Sequence, residues 1–550
     1  MTAFLKGCAP YKREDADRYN RLRWWPGRAL GDLLDKAADV FPHKEAFADG
    51  VSRHTFSQAR EKANRLAISF MDLGIRPQDR VLVQLPNWNE FVYTYFALQK
   101  IGAIIVLLID RYRQYEVSHL VRLTGSSVWG VPETYQKTHY LPIIKDVLKE
   151  NAQIRHVILA RGDAQEGCLS LNKLIEDGEP TGENLRRLAE RRPDPMQVAH
   201  MGPTGGTTGL PKVVPRTHNS LICGNEYVAL AWDLVPDDIC LLAGPIGHDL
   251  TFTKGLIAGL ITFSKFVFLD SVDMTDVCRT IEDEKITAIV WVPTLASRLV
   301  RCDSIHDYNL GSLKKMHCGG GVSPPDLIRE VRRELGCTYY NAYGGTEGQS
   351  TLTRSYDDSE KLYHTVGRPT CPYDMYKVID QHGNEMPSHT TGELLIKGPG
   401  VFTGYYDNPE ENARAFTKDG FFRTGDLAHM DELGYIILDG RVKEMINRAG
   451  ESISATEIEK LIIDHPDVVA AAVIPMADPE MGERVCAYIQ PRHGAVLDFE
   501  DIIAFLQGKK ASVLQLPERI EFIDSMPLTK AEKVDKKALK ADIAQKIQDS

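Results

Sequence analysis

Short apolar runs alternate with amphipathic segments near the start of the chain, and this alternation predicts successive strands and helices. Arg80–Leu85 and Ala103–Leu108 are apolar runs of strand length, and Asn89–Lys100 between them has helical character. An earlier helix is expected to begin with Ser57 as its N-cap and to end at Gly74. Strands that are apolar throughout are typical of a parallel sheet covered on both faces, so the pattern predicts an α/β fold.

The pattern changes along the middle of the chain. Residues 142–196 are charged and irregular, which predicts a linking segment without regular structure. Apolar runs at Lys265–Leu269 and Ala288–Val292 then predict a second α/β unit. The alternation and glycine turns of Gly392–Tyr406 are typical of antiparallel strands and predict a smaller β-rich subdomain.

A fresh α+β pattern begins near Lys443 and predicts a separate C-terminal domain. Its first elements are a helix at Ala455–Asp464 and a strand at Val468–Ile474. We therefore expect a large layered domain over residues 1–442 and a small mobile domain over residues 443–550. The lysine-rich stretch Pro527–Leu539 within the small domain predicts, taken by itself, a solvated basic helix.

Composition narrows the function classes. A length of 550 residues exceeds what one core usually supports, and the net charge of −11 argues against a nucleic-acid binder. The ten cysteines include no C-x-x-C pair, so neither a disulfide scaffold nor a zinc ribbon is indicated. We find no signal peptide, membrane span or C-terminal peroxisomal address, and the expected location is the cytoplasm.

The stretch Met201–Lys212 (MGPTGGTTGLPK) is the strongest candidate for chemistry. It combines glycines, threonines and a lysine at Gly202, Thr204, Gly205, Gly206, Thr207, Thr208, Gly209 and Lys212. Glycines let successive backbone N–H groups point into one concavity that binds anions, so the stretch predicts a polyphosphate-binding loop. It is not the Walker pattern, because Pro211 precedes the lysine and Val213 follows it. A flexible surface turn is the alternative interpretation.

Three further features are compatible with a nucleotide site. The triple glycine Gly319–Gly321 follows a predicted strand and suggests close approach to a flat group, although a plain tight turn fits it equally well. Glu347 follows a Gly-Gly turn and is suited to hold Mg²⁺ together with phosphate oxygens, but a single acid is more often a solvated one. Asp426, after a turn glycine, could accept both hydroxyls of a ribose.

Five stretches in this order resemble the adenylate-forming superfamily, which includes acyl-CoA synthetases, peptide-synthetase adenylation domains and luciferases. They are TGGTTGLPK, YGGTE, TGDL, GRVKEMINRAGE and PLTKAEKVDKKAL. The resemblance runs from about Asn20 to Leu539. GGTTG and NRAGESISATEIE are most similar to the branch that activates small cyclic carboxylic acids, the dihydroxybenzoate ligases. The resemblance implies that a carboxylate attacks the α-phosphorus of ATP, Mg-pyrophosphate leaves, and a thiol then displaces AMP from the acyl-adenylate.

The resemblance also implies roles for individual residues. The phosphate loop would hold the β- and γ-phosphates, Glu347 would hold Mg²⁺, and Lys533 would bridge the acid carboxylate and the α-phosphate as the catalytic lysine. The nucleotide-binding set would be Thr204, Gly205, Gly206, Thr207, Thr208, Lys212, Gly319, Gly320, Gly321, Tyr343, Gly344, Thr346, Asp426 and Arg441. His248 would gate the acid pocket, and Asp249 and Gly344 would line it. Lys443 would be the hinge, and Arg448, Ala449 and Gly450 would line a tunnel for CoA.

Three departures from the family pattern refine the expected function. Glu532 stands before the catalytic lysine, where glycine is usual. Asp249 and Leu250 follow the gating histidine, where dihydroxybenzoate enzymes have asparagine and tyrosine. YGGTE is the form commoner in acyl-CoA synthetases. Because Leu250 should leave an apolar pocket, these differences favour a ring acid without hydroxyl groups.

The expected function is therefore an AMP-forming acid–CoA ligase for a small aromatic or alicyclic acid, with ATP, Mg²⁺ and CoA as cofactor and cosubstrates. The alternative is a stand-alone aryl acid–AMP ligase that loads a separate carrier protein. A silent nucleotide-binding module is a third reading, motivated by Glu532. No nucleic-acid or membrane partner is expected, and a homodimer is compatible with the resemblance.

Overall fold

The computed structural model describes residues 4–165, 167–204, 211–442, 445–448, 451–478, 481–509, 511, 515–529 and 532–548. The strands in chain order are β1 (Glu45–Ala48), β2 (Arg53–Thr55), β3 (Arg80–Val83), β4 (Ile104–Leu107), β5 (Val128–Pro132), β6 (Thr134–Tyr135), β7 (Thr138–His139), β8 (His156–Ala160), β9 (Cys168–Ser170), β10 (Val198–Thr204), β11 (Lys212–Thr217), β12 (Ile239–Leu242), β13 (Lys265–Phe268), β14 (Ala288–Trp291), β15 (Lys315–Cys318), β16 (Thr338–Gly344), β17 (Ser350–Leu352), β18 (Arg368–Pro369), β19 (Met375–Ile379), β20 (Gly392–Lys397), β21 (Phe422–Met430), β22 (Ile436–Arg441), β23 (Met445–Arg448), β24 (Glu451–Ser454), β25 (Val468–Asp478), β26 (Gly482–Pro491) and β27 (Arg519–Phe522).

The α-helices are α1 (Arg13–Arg21), α2 (Gly31–Val40), α3 (Phe56–Asp72), α4 (Asn89–Lys100), α5 (Gln114–Thr124), α6 (Leu141–Glu150), α7 (Leu171–Asp177), α8 (Gly182–Glu190), α9 (His218–Ala231), α10 (Ala258–Ile261), α11 (Met274–Glu284), α12 (Pro293–Val300), α13 (Pro325–Leu335), α14 (Ser359–His364), α15 (Pro409–Ala415), α16 (Ala455–Ile463), α17 (Phe499–Gly508) and α18 (Lys536–Gln548). A wide π-helix spans Leu250–Ile257, and a short 3-10 helix spans Asp303–Asp307. Within the described ranges, no helix is long and apolar enough to span a bilayer.

The first sheet has the strand order β11-β10-β4-β3-β5-β8-β9, and all neighbours are parallel except β10 and β11. Its central strand β3 is buried on both faces. Val81 and Val83 face the core that contains α3 and α4, whereas Leu82 faces the core that contains α5 and α6. Since side chains alternate along a strand, a sheet covered on both faces needs the continuous apolar runs seen in the sequence.

The second sheet has the order β18-β17-β16-β15-β14-β12-β13-β1-β2, with a parallel centre from β16 to β1. Leu242 of β12 faces the same core as Val83 of the first sheet, and Leu241 faces the opposite side. The two sheets therefore share one core, in which α2, α3, α4, α9 and the π-helix are packed. The carboxyl ends of β14, β15 and β16 lead into the loops that carry several candidate site residues.

Two smaller antiparallel sheets complete the fold. β19-β20-β21-β22 forms the predicted β-rich subdomain, although its strand β20 ends at Lys397 and the rest of the predicted stretch is loop. The C-terminal sheet contains β24-β23-β26-β25, with β27 paired to β26. The α/β class, with a large layered part and a small α+β part, is confirmed.

The structure corrects three local predictions. The segment 142–196 is not irregular, because it contains most of α6 together with β8, β9, α7 and α8, and the apolar run His156–Ala160 is a strand of the first sheet. The N-cap of α3 is Thr55, not Ser57: its side chain accepts a bond from the Gln58 N–H, and Gln58 returns one to the Thr55 N–H. In the lysine-rich tail the helix begins at Lys536, and the described residues before it, 527–529 and 532–535, are not helical.

We expect Thr55→Ala to lower the free energy of unfolding of the large domain by about 1 kcal/mol, because it removes both bonds of the capping box. Urea unfolding followed by tryptophan fluorescence measures this, since all six tryptophans lie between Trp24 and Trp291. Ser57→Ala is the matched control. A larger loss for Ser57→Ala than for Thr55→Ala would contradict the assignment of the cap.

Candidate functional site

Lys533 reaches from the small domain onto the triple glycine that follows β15. A Cβ built on Gly320 would lie 3.8 Å from Cε of Lys533 and 3.9 Å from Cδ2 of Leu250. Gly320 has φ +81°, a conformation that side chains rarely adopt. Glycine is therefore favoured by the conformation of the turn, and the lysine and leucine side chains pack on it at ordinary van der Waals distances.

The ammonium of Lys533 lies within electrostatic range of groups from several elements. Loss of hydration in the cleft lowers the pKa of Lys533, and the charge of Arg441 lowers it further, while Asp426 and Glu347 act in the opposite direction. Burial, followed by the Lys533 charge, lowers the pKa of His248 to about 4. His248 is therefore neutral near pH 7, and the lysine is the cation that faces it.

The loop before Lys533 is a tight turn held against the large domain. Thr529 and Lys533 exchange backbone and side-chain hydrogen bonds at 2.6 and 3.2 Å. Glu532, within this turn, has φ +60°, and its carboxylate forms an ion pair with Arg111, which follows β4. The left-handed conformation costs a non-glycine residue about 1–2 kcal/mol. The interdomain ion pair offsets part of that cost.

Asp426 is a buried carboxylate whose two oxygens both accept hydrogen bonds. The hydroxyl of Tyr343, in β16, donates to Oδ2 at 2.5 Å, and Nε of Arg441, in β22, donates to Oδ1 at 2.6 Å. Burial, followed by the Asp426 charge, raises the pKa of Tyr343, so the phenol stays protonated. Three of the predicted nucleotide-binding residues are thus brought together by three different strands.

Glu347 lies beside the flank of the phosphate loop. It accepts a 2.9 Å hydrogen bond from the hydroxyl of Tyr405, and burial raises its pKa, with Asp249 adding to that shift. Lys212 opposes the shift; its ammonium donates to Oε1 of Glu411 at 2.8 Å and lies 4.0 Å from the centre of the Tyr405 ring.

Among the described residues, no group of three or more histidine, cysteine or acidic side chains could hold a metal ion. Mg²⁺ needs only one or two carboxylates when phosphate oxygens supply the remaining ligands. The single carboxylate of Glu347 therefore fits a cation that arrives with a polyphosphate, and does not fit a metal centre built by the protein alone.

The flanks of the predicted phosphate loop are the antiparallel pair β10 and β11, in which Thr204 is opposite Lys212. A Cβ on Gly202 would lie 2.6 Å from Cγ2 of Thr346, so the base of the loop packs closely on the YGGTE motif. The predicted loop residues Gly205, Gly206, Thr207 and Thr208 lie outside the described residues, as do Lys443, Ala449 and Gly450. For Arg448 the structure describes only its backbone in β23.

Leu250 is the first residue of the π-helix, and Asp249 and His248 directly precede it. Gly344 ends β16, and a Cβ there would lie 2.8 Å from the carbonyl oxygen of Gln349, so only glycine fits. Of the predicted pocket residues, His248 and Asp249 therefore lie at the start of the π-helix, and Gly344 lies at the end of β16.

The sequence analysis missed Lys254, which is buried in the π-helix and only 8% exposed. Burial lowers the pKa of Lys254 to about 8, with the charge of Asp249 opposing that shift. The signal in the sequence is that Lys254 is the one charged residue in the stretch LTFTKGLIAGLI. The apolar pocket expected from Leu250 stays a prediction, and the structure adds that Leu250 shares its helix with a buried cation.

A cavity of about 290 Å³ lies beside the segment that carries His248. Its lining includes Arg111 and Arg113 after β4, Asp270 after β13, and Gly247, the neighbour of His248. The cavity is formed by loops at the carboxyl ends of strands from both large sheets. It therefore adjoins the candidate site from the side of Arg111, which pairs with Glu532, and Arg113, which donates to the backbone of its own loop.

Comparison with known proteins identifies the family of the chain. A family model described as AMP-binding enzyme matches residues 34–406, and one for the C-terminal domain of these enzymes matches residues 457–533. The chain is 34% identical to 2-hydroxy-7-methoxy-5-methyl-1-naphthoate–CoA ligase of Streptomyces carzinostaticus, with 97% of each chain covered. It is also 34% identical to 2,3-dihydroxybenzoate-AMP ligase of Bacillus subtilis, with 99% of each covered. The apo structure of MbtA from Mycobacterium smegmatis is 31% identical, covers 97% of this chain and 98% of its own, and has a TM-score of 0.73.

We expect Glu532→Gln and Arg111→Met each to speed hydrogen exchange in the loop before Lys533 by about two- to five-fold, because a half-exposed ion pair contributes up to about 1 kcal/mol. The measurement is hydrogen–deuterium exchange of peptides that cover residues 525–540. The double variant should exchange no faster than either single variant. Additive effects in the double variant would contradict a direct interdomain pair.

Proposed function

Because this chain belongs to the family of AMP-binding, adenylate-forming enzymes, we propose that it is an AMP-forming acid–CoA ligase for a small cyclic, aryl or alicyclic, acid. The observation that carries the proposal is the position of Lys533 against Gly320, within electrostatic range of His248, Glu347 and Asp426. A cation at this point can neutralise charge between a bound carboxylate and an α-phosphate.

The first half-reaction joins the acid to AMP. A carboxylate oxygen attacks the α-phosphorus of ATP, the bond to the β-phosphate bridging oxygen breaks, and pyrophosphate leaves with that electron pair. Lys533 supplies positive charge where negative charge builds up, so its effect is electrostatic stabilisation rather than proton transfer. In our proposal, Asp426 exchanges its bonds with Tyr343 and Arg441 for the ribose hydroxyls, and Gly319–Gly321 lie against adenine.

Glu347 is the proposed residue that holds Mg²⁺, which when bound would neutralise charge on the leaving pyrophosphate. Burial raises the pKa of Glu347 although the Lys212 charge opposes the shift, so a further cation at this carboxylate would favour its charged form. Thr204 and Lys212 flank the loop proposed to hold the outer phosphates. Lys212 would then exchange Glu411 for phosphate.

The second half-reaction transfers the acyl group to a thiol, which attacks the acyl carbon as AMP leaves. CoA as the acceptor is supported by the cavity beside Gly247, because Arg111 and Arg113 in its lining suit the phosphates of CoA. The naphthoate–CoA ligase relative supports the same acceptor. The alternative, loading of a separate carrier protein, is favoured by the equally similar dihydroxybenzoate-AMP ligase.

The deciding experiment measures AMP release from purified protein with ATP, Mg²⁺ and a panel of aryl, alicyclic and short linear acids, with and without CoA. We expect CoA-dependent turnover on a ring acid. Acid-dependent pyrophosphate exchange that never leads to acyl-CoA would instead identify the carrier-protein ligase. Nucleotide binding with no exchange on any acid would exclude both enzymatic functions.

We expect Lys533→Ala to slow acid-dependent pyrophosphate release by about 10²–10³-fold, because it removes a preorganised charge from the transition state. Transfer from a separately supplied acyl-adenylate to CoA should be much less affected. Lys537→Ala, an exposed lysine four residues later, is the matched control. Equal losses in both half-reactions would contradict the assignment of Lys533 to adenylation alone.

A further inference from the structure

We propose that Lys254 and Asp249 form a polar subsite that selects ring acids carrying a hydrogen-bond acceptor, either a ring nitrogen or an oxygen substituent. The Lys254 ammonium would donate to that acceptor, and Asp249 would accept any hydrogen that the substituent carries. This inference rests on the proposed function and names the substrate class of the same site.

The π-helix places the two side chains on one face. Asp249 directly precedes this helix and Lys254 is five residues further on, the spacing that π-helical hydrogen bonds join. In keeping with this placement, the charge of each residue shifts the pKa of the other toward its charged form. Such wide turns are frequent at functional sites, because the regular helix gives way to a special side-chain position.

The polar groups around Lys254 are incompletely paired. Over the part of the chain that the structure describes, Oδ1 of Asp249 and Nδ1 of His317 are buried without a hydrogen-bond partner. The Asp249 Oδ2 atom accepts only from Thr253, at 3.2 Å. An unpaired buried polar group costs about 1–3 kcal/mol, and more when it is charged. A ligand that pairs them recovers this cost, whereas an apolar ring leaves it in place.

The same helix connects this subsite to the reacting end of the site. His248 and Leu250 are at its start, next to Lys533 and Gly320, and Lys254 is about one turn further along. An acid whose carboxylate lies at Lys533 can therefore extend its ring along the helix toward Lys254. The subsite would contact a ring position remote from the reacting oxygen.

The charges that face Lys254 come from several elements. They are Asp249 before the π-helix, Arg216 of β11 and Asp374 before β19, and Lys254 in turn faces His317 of β15. Burial raises the pKa of Asp374 to about 7 and lowers that of His317 to about 3, with the Lys254 charge adding to the second shift. His317 is thus neutral at pH 7, and Lys254, with a pKa of about 8, is the group that changes charge just above neutrality.

The sign of the pH effect follows. The ammonium is charged below about pH 8, so the selection of acceptor-bearing acids should be full there and should fall as the pH rises through about 8. Lys254→Arg keeps a charge at every accessible pH and should remove that fall. Lys254→Met keeps the length and apolar body of the side chain without the charge.

The test compares kcat/KM for pyrophosphate release, without CoA, on benzoate, 2- and 3-hydroxybenzoate, and pyridine-2- and pyridine-3-carboxylate. In the wild type we expect at least one acceptor-bearing acid to exceed benzoate. Lys254→Met should lower kcat/KM for that acid by about 10–100-fold, mainly through KM, and change the value for benzoate by less than about three-fold. Asp249→Asn removes an acceptor and also the charge that favours protonated Lys254, so it should lower kcat/KM for the hydroxylated acids more than for the pyridine acids.

Lys100→Met is the matched control for loss of a buried lysine, because Lys100 is equally buried but pairs with Asp35 at the end of α4. Equal loss on benzoate and on the acceptor-bearing acids in Lys254→Met, or a wild-type preference for benzoate, would overturn the proposal. Calorimetric binding of the acids gives the same comparison without turnover. Because neither assay contains CoA, failure of thioester formation would count against the proposed acceptor and leave this test intact.

Discussion

The position of one ammonium group, that of Lys533, is the constraint on which the rest of the site depends. The lysine belongs to the small domain, but the groups that surround it belong to the large domain. Its side chain packs on Gly320, whose φ is +81°, and a neutral histidine faces it. Because the cation is partly dehydrated there, its interaction with developing negative charge is stronger than it would be in water.

The acidic residues of the site are held in two different ways. Asp426 has both oxygens hydrogen-bonded by Tyr343 and Arg441, so its carboxylate is fixed in orientation. Glu347 has one bond from Tyr405 and a raised pKa, so its charge is stabilised less completely by the protein. The first arrangement suits a neutral hydroxyl ligand, and the second suits a cation.

Two charged residues stand where the local sequence rules favour something else. Glu532 adopts a conformation better suited to glycine, and Lys254 is a cation in an apolar helix. Each has a compensating partner: Arg111, from a distant part of the chain, pairs with Glu532, and the charges of Asp249 and Asp374 oppose the lowering of the Lys254 pKa by burial. Residues that do not suit their local conformation or surroundings tend to mark functional sites, where a specific interaction matters more than the local preference.

The sequence by itself determined the α/β class, the exact bounds of α4 and the order of the family motifs, because continuous apolar runs and glycine spacings are local signals. It did not reveal the apolar strand His156–Ala160 among charged helices, or Thr55 as the cap of α3. Only the tertiary structure decided that Lys533 meets Gly320, that Arg441 meets Asp426 and that Lys254 is buried. Burial and charge proximity arise from how distant segments pack, and no short stretch of sequence encodes them.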